Sequence, residues 1–322
     1  MEPCVQDAIG RVDAPRGATL PPVSIGLAQM WLNPVVRRVT AMHMAVLALS
    51  APLYPLLGLS IAWRTVLPQL LLLGLLLWAS LRYAAVGRPH KRIIAETLLA
   101  TFFLVLFTNI VGAAQYAGVA LGLPLVDSWL ASADAALGVH VPALTLWTAT
   151  QPLLTLALIL GYFSLLPQFV LALVGLGLKD RDRERLWEYV FHFHVCLTVT
   201  LLGVTLLPAA CAFSYYGFSS LIDQTRFISH FEGLRAGTLT EIRFGDIEGL
   251  ISFPSFHVAG GLMVTWAFRH YRWWAAPIVV LNGLLISATV MTGAHYAIDV
   301  VMTVLLFAGS VWLWRVWGRS GL

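Results

Sequence analysis

Apolar residues come in eight long runs separated by short polar joints, at about 41–62, 66–86, 93–122, 143–177, 189–212, 255–268, 276–292 and 296–314. Leu, Ala, Val and Gly dominate each run. None shows the strict alternation that marks a membrane strand, so the pattern predicts helices and disfavours a β-barrel. A helix crosses a bilayer with roughly 20 apolar residues. The expected fold is therefore an all-α, polytopic transmembrane bundle of about eight spans. The third and fourth runs exceed one crossing, and their ends are expected to tilt or to lie in the interface.

Composition agrees with this reading. Of 322 residues, 59% are hydrophobic and 11% are charged, where a soluble domain carries nearer ~25% charged. That excludes a water-soluble enzyme and also a disordered chain. The net charge of +4 would suggest nucleic acid only if the basic residues shared one soluble face. Here they punctuate the apolar runs, so no nucleic-acid partner is expected. Alternate joints hold Arg37 and Arg38; Arg82, Arg88, Lys91 and Arg92; Lys179, Arg181, Arg183 and Arg185; Arg269 and Arg272; and Arg315 and Arg319. The opposite joints hold only Arg64, Arg226, Arg235 and Arg243. By the positive-inside rule the first set is cytoplasmic. Both termini are then inside, and 123–142, 213–254 and 293–295 are outside. Residues 1–38 lack the layout of a signal peptide and read as a flexible cytoplasmic tail. Residues 39–140 read as N-terminal spans and 141–318 as a catalytic membrane domain. The short loops and Ala/Leu/Arg-rich composition fit a bacterial inner membrane, with the outer face periplasmic. Cys4, Cys196 and Cys211 form no paired motif and read as small hydrophobes.

The chemistry gathers in two stretches, Phe253-Pro254-Ser255-Phe256-His257 and Gly293-Ala294-His295-Tyr296-Ala297-Ile298-Asp299. Both fall at outer span ends, and a helical hairpin can bring them together. Asp299 lies four residues after His295, a spacing that shares one helical face. A carboxylate there fixes the imidazole tautomer and leaves the other ring nitrogen as a nucleophile. Asp299 also sits in an apolar run, where an ionisable group is a functional candidate by default. Ser255 reads as a helix N-cap, and a helix N-terminus suits a phosphate. His257 in the first turn is placed to protonate a leaving alkoxide and later to deprotonate the acceptor. The outline is a two-step phosphoryl transfer through a phosphohistidine.

Pro-Ser-x-His and His-x-x-x-Asp resemble motifs two and three of the type 2 phosphatidic acid phosphatase superfamily. The forms FPSFH and GAHYAID are most similar to its inositol phosphorylceramide synthase branch. The resemblance covers roughly 143–315. It implies a helical bundle with a metal-free site at the membrane surface, His295 as nucleophile, Asp299 as its orienting group and His257 as acid/base. The substrate it implies is a phospholipid or sphingolipid, and no cofactor. Three features depart from the family pattern. Phe256 stands where the phosphatases have glycine, Ala288 and Thr289 stand where they have Ser-Arg, and the Lys-x6-Arg-Pro first motif is missing. Arg88-Pro89 is a decoy, with Leu81 at the lysine position. A phosphate needs cationic partners, and Arg235 and Arg243 are expected to supply them beside Ser255, with Arg226 a further candidate in the same loop. These departures fit a phosphotransferase better than a plain phosphomonoesterase. Lipid phosphatase or pyrophosphatase activity is the alternative, and a non-enzymatic lipid transporter the second.

Other polar residues read as structural. His192 and His194, at i and i+2, point to different sides of a helix and do not read as a metal site. A zinc or iron site on His257, His295 and Asp299 lacks a further ligand nearby. Asp127 and Asp134 belong to a short interfacial helix, structural first and lining a lipid entrance second. Tyr162, Ser164 and Gln168 read as bundle packing, Glu96 as capping or snorkelling, and the tryptophans at span ends as an interfacial belt.

Overall fold

The computed structural model describes residues 33–86, 88–178 and 183–318. Of the tail expected over 1–38, residues 1–32 with Cys4 lie outside the described residues, as do the basic residues Lys179, Arg181 and Arg319, while residues 34–38 already belong to the first helix.

The first span is α1 (Pro34–Ser50) with the short α2 (Leu53–Leu56). The Asn33 side chain accepts the Val35 N–H and Pro34 opens the first turn, where its missing donor costs nothing. After β1 (Ser60–Ile61) come α3 (Leu67–Ala85) and the long α4 (Pro89–Ala120). The short α5 (Asp127–Ala136) is followed by α6 (Val141–Ala149), α7 (Pro152–Phe163) and α8 (Leu165–Gly177). α9 (Arg183–Leu206) leads into α10 (Ala212–Tyr216), α11 (Thr225–Arg235) and β2 (Glu241–Ile242). α12 (Phe256–Ala267), α13 (Arg272–Met291) and α14 (Ala297–Leu313) complete the bundle.

The protein is an all-α membrane bundle. Among the described residues six helices are long and apolar enough to cross a bilayer, or seven if α6 and α7 count as one bent span. Two of the eight runs differ from expectation. The run 143–177 is not one tilted span. Pro152 forces the preceding Gln151 out of the helical region, and α6 and α7 meet at 113°. The sixth run yields only the 12 residues of α12. At 1.5 Å per residue that is about 18 Å, short of the ~30 Å hydrocarbon core. Its C-terminal end leads into Arg269 and Arg272, so its N-terminal end, which carries the site, is recessed. The segment 213–254 is also more than a loop, since it folds α10, α11 and β2.

α9 is the central post. Most of its apolar face is inside (61% buried, against 17% for each of the first two spans), and it packs on α1, α4, α8, α12 and α14. The joints meet in two groups. At one end Glu96 pairs with Arg92 and Arg183, Arg38 bonds the Gly318 carbonyl, and Glu188 holds Arg269 at 2.9 Å. At the other, β1 and β2 pair in parallel, Asp127 accepts the Ala210 N–H, and Arg235 donates to the Leu123 carbonyl. The expected tryptophan belt holds for Trp273, Trp274 and Trp312, which are exposed, but Trp314 is buried against Phe191.

Candidate active site

Ser255 caps α12. Its backbone is extended, and its Oγ accepts the Val258 N–H at 3.4 Å. Ala259 N–H bonds the Ser255 carbonyl. Among the described residues this leaves the first-turn amides of Phe256 and His257 as the open donors of that helix. The second helix N-terminus, at α14, is closed. Asp134, from α5, accepts the Ala297 and Ile298 N–H groups at 2.9 and 2.8 Å and caps α14 across a gap of more than 160 residues. Two helix starts thus face the site, and only the one at Ser255 can receive an anion.

His295 and Asp299 do meet, at 3.1 Å, but not on one helical face. His295 lies before the N-cap Tyr296, and Asp299 is the third residue of α14. The carboxylate folds back over the helix start, where Oδ2 accepts both the Tyr296 N–H and the ring Nδ1–H. A second acceptor, the Ser252 carbonyl, meets the same Nδ1 at 2.8 Å. A nitrogen between two acceptors carries the proton, so Nε2 holds the lone pair. Nε2 faces Ser255 Oγ at 3.3 Å. The lone pair therefore points at the open end of α12. His257, two residues along, stacks on Tyr162, with ring centroids 4.2 Å apart and planes 17° apart. His295, Asp299 and Ser255 are buried, and His257 is partly exposed.

The three arginines expected near the phosphate have protein partners of their own. Arg235 donates to the Leu123 carbonyl at 3.0 Å and lies over Phe231. Arg243 pairs with Glu241 at 2.9 Å on the surface. Arg226 pairs with Glu248 at 3.3 Å and bonds the Asp246 carbonyl. Among the described residues, the hydrogen-bond partners of Ser255, His295 and Asp299 include no guanidinium or ammonium.

Asp127 serves structure, as expected first. It accepts the Ala210 N–H and, at 2.9 Å, the Tyr296 hydroxyl. Burial pushes the Asp127 and Asp134 carboxyls above the usual carboxylate range, against the pull of the N–H groups they accept. His192 bonds Ser310 at 3.1 Å, and His194 stacks on Phe107, both in the core. Among the described residues no three His, Cys, Asp or Glu side chains converge on a common point. Cys196 and Cys211 are buried free thiols. Sequence reasoning missed the Ser252 carbonyl and the capping role of Asp134. A backbone carbonyl leaves no side-chain signature, and the Asp134 contact is too distant in sequence for any local pattern to show.

A family profile described as the PAP2 superfamily matches residues 128–313. The chain belongs to the PAP2 superfamily, whose members are generally phosphatases or phosphotransferases. Neither a curated protein nor a solved structure matches it. The match begins at α5, so it takes in the helix that caps α14.

Proposed function

We propose that this protein is a membrane-embedded lipid phosphotransferase of the inositol phosphorylceramide synthase kind. The reading rests on one observation: the tautomer of His295 is set by Asp299 and Ser252, and its free Nε2 points at an open helix N-terminus whose first turn carries His257. The phosphate of a lipid sits against the Phe256 and His257 amides and displaces Ser255 Oγ from Nε2. The Nε2 lone pair attacks phosphorus. The bond to the leaving oxygen breaks, and protonated His257 gives that oxygen its proton. His257 then takes the proton of an acceptor hydroxyl, whose oxygen attacks the phosphohistidine. The P–N bond breaks and its electron pair returns to Nε2. Asp299 stabilises the charge that develops on the ring.

With amides and imidazoles as the nearby donors, the pocket suits a monoanionic phosphodiester better than a dianionic monoester. That favours transfer between lipids over monoester hydrolysis. His257, His295 and Asp299 lie together at helix starts at one end of the bundle rather than at broken helices in its middle, which favours an enzyme over a transporter. In this reading residues 141–318 carry the chemistry, residues 39–140 form supporting spans, and the site opens to the periplasmic face of a bacterial inner membrane. The chemistry needs no metal.

The test is turnover of labelled phospholipids by the purified protein. His295→Ala is expected to lower turnover by about 10³-fold or more, and to abolish acid-labile label on the protein. Label moved to a second lipid marks a transferase. Label released as a water-soluble phosphate marks the hydrolase. Unchanged turnover in the variant sinks the assignment.

A further inference from the structure

The carbonyl that orients the His295 ring belongs to a stretch with no regular structure of its own. Residues 247–252 are neither helix nor strand, so their backbone groups must find partners elsewhere. They find them on α4. Gln115 is buried, 3% exposed. Its Nε2–H donates to the Glu248 carbonyl at 2.8 Å, and its Oε1 accepts the Leu250 N–H at 2.8 Å. One carboxamide thus takes a C=O and an N–H from alternate residues, as an adjacent strand would. The Tyr116 hydroxyl accepts the Glu248 N–H at 2.9 Å. One turn earlier, Gly112 lets Ile247 lie close, since a Cβ there would stand 3.3 Å from its side chain. Two residues past Leu250, the Ser252 carbonyl accepts the His295 Nδ1–H, and Ser252 Oγ donates to the Ala209 carbonyl.

We propose that Gln115 is a positioning residue for His295, acting through the 248–252 strap. The inference rests on the function proposed above. It assigns α4, which lies outside the family match, a part in aligning the nucleophile. The two halves of the contact cannot both be kept by a charge or an apolar side chain. A carboxylate can accept from Leu250 but cannot donate to Glu248, and a thioether is only a weak acceptor and no donor. A protonated carboxyl can do both.

The experiment uses the full chain in lipid nanodiscs, comparing wild type, Gln115→Met, Gln115→Glu and His295→Ala. Gln115→Met is expected to lower kcat about 10- to 100-fold with KM changed less than about twofold, as for a misplaced reacting group. Hydrogen exchange should quicken in peptides covering 247–253 and stay unchanged in α9. Gln115→Glu should regain activity relative to wild type as pH falls and its carboxyl takes a proton. That recovery also stands as the readout if the Met variant does not fold. Wild-type kcat in Gln115→Met overturns the proposal, as does unchanged exchange over 247–253 or a Gln115→Glu deficit independent of pH. Turnover that survives His295→Ala overturns this proposal and the function together. Turnover that needs His295 but not Gln115 overturns the brace alone.

Discussion

Asp299 does two tasks with one oxygen. Its Oδ2 accepts the Tyr296 N–H and the His295 Nδ1–H, so the same carboxylate starts α14 and sets the ring. Asp299→Asn is expected to cut kcat by about 10²- to 10⁴-fold while leaving the protein folded, because the amide can present a donor where an acceptor is needed and favour the wrong tautomer. Steady-state kinetics beside a thermal melt checks this. Asp134 caps the start of α14. Its loss in Asp134→Ala leaves two part-buried N–H groups without their acceptor and is expected to cost about 1–2 kcal/mol of stability, read as a lowered midpoint of unfolding in detergent. The residues that the proposed chemistry uses, His257, His295 and Asp299, stand out in the sequence, because histidines and an aspartate in apolar runs are costly. The spacing argument for His295 and Asp299 reached the right pair by the wrong geometry. The ring lies outside the helix, and the capping carboxylate reaches back to it.

Helices decide which of these groups face one another. α12 is a half-length helix whose start is held by α9, and the contact is close. A Cβ on Gly203 would strike the Phe253 carbonyl and come within 2.5 Å of Pro254 Cδ. Gly203→Ala therefore has to push the segment before Ser255 outward. The expected cost is about 1–3 kcal/mol, with a larger relative loss of kcat than of stability, seen by assaying the variant well below its unfolding midpoint. The break at Thr150–Gln151 matters in the same way. It turns α7 so that Tyr162 stacks on His257. A hydropathy run of 35 residues carries no such information, since a helix and a bent pair have the same composition. Pro152 was the available sign, and its effect on Gln151 is the local reason for the bend.

Across the whole molecule the basic joints gather at one end and the site lies toward the other. If the basic end is cytoplasmic, Asp223→Cys in a cysteine-free background is labelled by a membrane-impermeant maleimide in intact cells, and Arg272→Cys only after permeabilisation. The reverse pattern would turn the site toward the cytoplasm. Membrane-spanning character, helix content and the side chains that the proposed chemistry uses were all read from the sequence itself. These follow from side-chain transfer energies and from short-range backbone chemistry, both of which act within one stretch of chain. Tertiary structure alone decided which donors remain open. Asp134 closes α14 from far away, Gln115 and Ser252 turn an irregular strap into a support for the ring, and Arg235 and Arg226 are engaged by Leu123 and Glu248. Each of those outcomes depends on which distant group reaches a given polar atom first, and the order of residues along a chain does not encode that competition until the helices are packed.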